Sequence, residues 1–233
     1  VDPDYEALEM KVGSYINAEG KVVRDAADAV GIVFKMEAIG SDVPANYPVA
    51  LQGKTIAGYA VAIENVATGR QVLNNAAMSS LVTTDATVTN GTQATDALLT
   101  GIGEVAFMTT YNSWVNEHPL DGESLSSWYI PTVDQLGEFM GMLFKIGEVE
   151  PTGGQAFREM PEFAFENGVM FDRDPIESVY YASCTVNGSK DISGVIINVD
   201  KTTKQVLDAK ASSLKVTGSS QKALCRPMIT IFK

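Results

Sequence analysis

The sequence predicts an α+β domain with helices packed on a mainly antiparallel sheet. Three observations carry this: strand-length apolar runs early in the chain, two segments of helical periodicity in the middle, and alternating segments in the last third. Composition does not shift sharply along the 233 residues and no repeat is present, so residues 1–233 read as a single domain. A chain of this length, 45% hydrophobic, buries roughly 70% of its unfolded surface, enough for a substantial core.

The acidic "VDPDYEALEM" of residues 1–10 is weakly patterned and reads as a loosely held tail or a short helix. "KVGSYINAEGKVV" places apolar residues on both sides of a turn cluster, a β-hairpin in which Gly20 supplies the positive φ of the turn. "GIVFKMEAI" and "TIAGYAVAI" are nearly continuous apolar runs, which predicts strands covered on both faces. Between them, "GSDVPANYPVALQG" is a loop by composition. From Thr92 to about Trp114 the residues Leu98, Leu99, Ile102, Val105, Ala106 and Met108 fall at helical offsets behind an "NGT" turn. A second helix is marked by Thr132 and Gln135, the T-x-x-Q form of a capping box, with Leu136, Phe139, Met140, Leu143 and Phe144 as its apolar face. After a Pro151–Gly154 loop, "MPEFAFENG" reads as a short helix between Pro161 and Gly168. "SVYYASCTV", "SGVIINVD", "SLKVT" and "ALCRPMITIF" then predict an antiparallel meander. Pro227 implies an edge position or a bulge in its last strand, because proline cannot donate to a ladder.

A formal charge of −12 leaves no basic stripe for phosphates, which disfavours nucleic acid and anionic membrane surfaces as partners. No run of about 18 apolar residues is present, so no transmembrane segment is expected. The chain begins at Val1, which reads as a processed or trimmed form.

Candidate chemistry is sparse. "GIGEVA", Gly101 to Ala106, fits a dinucleotide-binding glycine pattern, yet it sits inside a helical stretch where that motif needs a preceding strand. His118 is the single histidine and lies in the polar "NEHPLDGESL" without a nucleophile motif, so a solvated loop histidine accounts for it. Asp172, Asp174 and Glu177 bring carboxylates together but form no calcium loop. Trp114, Trp128, Tyr129, Tyr180 and Tyr181 could line a sugar-binding surface; core packing is the competing reading, especially for Trp128 and Tyr129 ahead of the capped helix. Cys184 and Cys225 read as buried thiols, as a disulfide, or as a redox or metal pair.

The order "NGTQATD", a helix, "SSWYIPTVDQL", "VYYASCTV" and a closing "ALCRPMITIF" resembles a C-terminal domain of exported bacterial surface proteins. That domain occurs in collagen-like adhesins and in many surface proteins of Bacteroidales, and is related to the formylglycine-generating-enzyme fold and to C-type-lectin-like domains. "GSYINAEGKVV", "GIVF" and "AGYAVAI" resemble the N-terminal half of the Bacteroidales versions. Trp128, Ile130, Pro131, Thr132 and Leu136 match its W-[YHR]-[LI]-P-[TS]-x-x-E-L join, with Gln135 replacing the usual Glu. Tyr180, Tyr181 and Ser183 match its Y-[WY]-x-S-[ST] strand, and Arg226 and Pro227 its final R-P strand. The resemblance implies a lectin-like or formylglycine-enzyme-like fold in which Trp128, Pro131, Thr132, Gln135, Arg226 and Pro227 are framework. With Cys184 and Cys225 on neighbouring strands, it also implies a possible cross-strand disulfide.

The function implied is non-covalent binding or adhesion by an exported, cell-surface protein, with an unidentified glycan or protein as partner and self-association possible. Catalytic residues, cofactors and metal ligands are assigned to no position. The resemblance also admits an assembly subunit of a surface appendage, or a copper enzyme using a cysteine pair. Calcium-dependent sugar binding is disfavoured, because neither E-P-N, Q-P-D nor W-N-D occurs.

Overall fold

The computed structural model describes residues 8–67, 90–102, 106–143, 169–173, 176–186, 192–200, 202, 206–214 and 224–233. They form an α+β structure with two sheets.

In the first sheet the strands β1 (Tyr15–Ile16), β2 (Val22–Val23), β3 (Gly31–Lys35), β4 (Ile56–Ala62) and β11 (Met228–Phe232) lie in the order β11-β4-β3-β1-β2. Every pairing is antiparallel. The β1–β2 hairpin turns where expected, with Gly20 at φ +79, a left-handed conformation that a Cβ would oppose. β4 is buried along its whole length, as its unbroken apolar run predicts: Ala60 and Ala62 enter one core cluster, Tyr59 and Val61 the other. The connection from β3 to β4, expected to be plain loop, carries a 3-10 turn over Pro44–Asn46 and a one-turn helix, α1 (Val49–Gln52).

The second sheet runs β5-β10-β7-β8-β9, from β5 (Val66–Ala67), β10 (Leu224–Cys225), β7 (Ile176–Val186), β8 (Ile192–Asp200) and β9 (Val206–Leu214). A further strand, β6 (Val169–Arg173), pairs antiparallel with β7 off this path. β7 to β9 follow the expected meander, whereas β6 is a strand where none was expected and the chain's last segment departs from the meander. β10 pairs parallel with β7, Leu224 opposite Tyr181. β9 also opens at Val206, well ahead of "SLKVT", of which only Ser213 and Leu214 are described.

The expected single strand "ALCRPMITIF" is two strands in two sheets. β10 pairs β5 while β11 pairs β4, and Arg226 and Pro227 make the crossing. Pro227 lacks the N–H that would continue the ladder, but its carbonyl still accepts from the Ala62 amide at 2.8 Å. So the proline marks a join between sheets, and β11 is covered on its outer side by the segment around Tyr129.

The helix expected from Thr92 to about Trp114 is described as α2 (Gly91–Ile102) and α3 (Ala106–Glu117), with residues 103–105 outside the described residues. α4 (Val133–Leu143) is the capped helix, and Leu136, Phe139 and Met140 bury its apolar face. "MPEFAFENG", the Pro151–Gly154 loop and residues 1–7 of the tail lie outside the described residues. No helix among the described residues is long and apolar enough to cross a membrane.

Candidate functional site

The "SSWYIPTVDQL" join is extended before it is helical. Tyr129 and Met228 exchange backbone hydrogen bonds at 3.0 and 2.9 Å, and Ser126 does the same work further along: its amide donates to the Thr230 carbonyl and its Oγ accepts from the Thr230 amide. Trp128 is buried, and its Nε1 donates to the His118 carbonyl at 2.8 Å. The Pro131 carbonyl accepts from the Cys184 amide of β7 at 2.9 Å. Thr132 Oγ1 then accepts from the Gln135 amide at 3.2 Å while Gln135 Oε1 accepts from the Thr132 amide at 3.0 Å, a reciprocal capping box.

Gln135 also joins a buried polar chain that no sequence motif marks. Its Nε2 donates to the Tyr129 hydroxyl at 3.2 Å, and Thr230 Oγ1 sits 3.0 Å from that hydroxyl and 2.8 Å from the Tyr47 hydroxyl. The chain ends on Asp42, a carboxylate only 3% exposed. Asp42 Oδ2 accepts from Tyr47 at 2.6 Å and from Tyr59 at 2.7 Å; Oδ1 accepts from Asn90 Nδ2 at 2.9 Å. Burial pushes the Asp42 carboxyl above its ordinary value, with these donors and the Val43 amide opposing the shift. Burial likewise raises Tyr47, Tyr59 and Tyr129, so all three remain neutral donors. Asn90 has a second role as the cap of α2, its Oδ1 accepting from the Gln93 amide at 2.8 Å. One buried carboxylate thereby ties the β3–β4 connection to β4 and to the start of α2.

Arg226 is 1% exposed, and its Nη1 donates to the Ala62 carbonyl at 3.1 Å across the sheet join. Burial lowers its pKa, while the Tyr181 hydroxyl and the charge of Glu64 act the other way. Cys184 and Cys225 are free, fully buried thiols, so the possible disulfide is not formed. The parallel register is the reason: Leu224 lies opposite Tyr181, which sets Cys225 level with Ala182 and leaves Cys184 further along the same face. Burial pushes the Cys184 thiol up to about 12 and raises Cys225 as well, so neither is a ready thiolate. A copper-binding cysteine pair, which the sequence resemblance would allow, does not fit these buried thiols.

The aromatic residues considered for a sugar platform, Trp114, Trp128, Tyr129, Tyr180 and Tyr181, are all buried. Trp114 stacks on His118 at 4.2 Å and meets Trp128 edge-on at 5.1 Å, and its Nε1 donates to Glu64 Oε1 at 2.7 Å. His118 is not a purely solvated loop residue. Its Nδ1 lies 2.7 Å from the Trp114 carbonyl and its Nε2 3.0 Å from Glu64 Oε1, so both ring nitrogens face acceptors. "GIGEVA" falls across the end of α2 and the start of α3, with a helix where the dinucleotide motif needs a strand. Asp172 and Glu177 are cross-strand partners in the β6–β7 hairpin; Asp174 lies outside the described residues, among which no cluster of metal-ligating side chains occurs.

A surface concavity lies at the outer end of the first sheet. It is a groove of about 340 Å³ beside the β1–β2 hairpin, with Leu8, Tyr15, Val22 and Val23 as apolar lining and Glu9 and Lys11 as charges of opposite sign. β2 is the last strand of its sheet, so the groove runs along an edge. Compared with protein-family models, curated proteins and solved structures, the chain matches none.

Proposed function

We propose that the chain is a non-covalent binding module of an exported, surface-displayed protein, built on a lectin-like or formylglycine-enzyme-like framework. The observation that carries this reading is where the polar and aromatic side chains are spent. Trp128, Thr132, Gln135, Arg226 and both cysteines are committed to packing, capping and the sheet join. Such a framework leaves recognition to its edges and connections, and the groove of Leu8, Tyr15, Val22 and Val23 is a concave, mixed surface suited to a glycan or protein ligand. Lys11 and Glu9 are both exposed at its rim and would orient a polar ligand.

The test is a glycan and protein array probed with the wild-type chain and with Lys11→Glu. Hits that weaken in the variant at unchanged melting temperature support the groove; hits indifferent to it place binding elsewhere. A second reading, an assembly subunit, is favoured by the length of the outer strand β9.

A further inference from the structure

We propose that β9 is a self-association edge and that its partner is β9 of a second copy of this chain, antiparallel about a two-fold axis at Ala209. β9 spans Val206–Leu214 and pairs on one side with β8. Among the described residues nothing pairs with its other side. A strand of nine residues is about 30 Å long at 3.3 Å per residue, and an edge of that length is a template for another strand.

The residue order selects the partner. Aligned antiparallel with Ala209 opposite itself, Asp208 of each copy stands opposite Lys210 of the other, so the edge is charge-complementary to its own image twice over. Shifting the axis to Lys210 sets the two lysines against each other. A lysine on an edge strand ordinarily deters pairing; here the aspartate two positions away turns that deterrent into a register selector. Lys210 is exposed, and Leu207 is 52% exposed, an apolar side chain that pairing would draw from water. The register shift between β8 and β9 falls at Leu207, between Val206 and Asp208, while Asp208, Ala209 and Lys210 keep regular partners in Asn198, Ile197 and Ile196.

The experiment measures molar mass by light scattering on the full chain over a concentration series, with circular dichroism as the folding check. Wild type is expected to dimerise. Asp208→Lys and Lys210→Asp, each replacing two attractive pairs by two repulsive ones, are expected to weaken the dimer by about tenfold or more. The double swap, Asp208→Lys with Lys210→Asp, regenerates the complementarity and is expected to restore it. Residues opposite each other on antiparallel strands have Cα atoms about 4.5–5.5 Å apart, within disulfide reach, so Ala209→Cys is expected to cross-link between copies under mild oxidation. A chain monomeric at every concentration overturns the proposal. So does a dimer indifferent to the single reversals, or one in which Ala209→Cys fails to cross-link.

Discussion

Asp42 accepts a 2.7 Å hydrogen bond from the Tyr59 hydroxyl, and this contact fastens the β3–β4 connection onto β4 from a position with almost no solvent exposure. Removing the carboxylate strands the Tyr59 and Asn90 donors at once and leaves Tyr47 only Thr230. Asp42→Ala should therefore cost on the order of 3 kcal/mol, measured by urea unfolding.

The same carboxyl gives a pH signature. Its folded value lies above the unfolded one, so its contribution to stability is fully present below the unfolded pKa near 3.8 and is lost as pH rises through the folded value. The difference in unfolding free energy between wild type and Asp42→Asn should shrink as pH increases from about 3.5 towards neutrality. A difference that grows over that range would contradict the burial argument.

Gly91 starts α2 against Tyr129 and Gln135. A Cβ there would lie 2.3 Å from Tyr129 Cδ2 and 2.6 Å from Gln135 Oε1, so Gly91→Ala must push α2 off the join. A loss of about 1–3 kcal/mol is expected from thermal unfolding, despite alanine's better helix propensity.

The cysteines give a chemical readout. In the folded chain neither thiol should react with iodoacetamide at neutral pH, since both are sealed and protonated. In denaturant without reductant both should be alkylated. A mass unchanged after that treatment would mean they are bonded.

What could be read from the sequence follows the reach of each interaction. Thr132 and Gln135 are three residues apart, and the hairpin turn at Gly20 is equally local, so residue type and spacing specify both. The partners of Asp42 lie 5, 17 and 48 residues away, and nothing in "GSDVP" distinguishes that aspartate from a solvated one. Pro227 announced an interruption; that the halves of its segment join different sheets depends on β4, β5 and β7, all distant in sequence. Trp128 was legible as core because aromatic residues ahead of a capped helix pin its start. His118 was not, because Glu64 reaches it from 54 positions earlier in the chain.

Thr132→Ala tests most directly whether the join from Trp128 to Gln135 is framework. The variant loses the side-chain acceptor for the Gln135 amide, which costs about 1 kcal/mol and lowers the melting temperature by about 2–4 °C in a chain of this size. That shift is expected by calorimetry, together with unaltered binding to whatever ligand the arrays identify. Unchanged melting with binding abolished would place the join in the recognition surface and contradict the framework role.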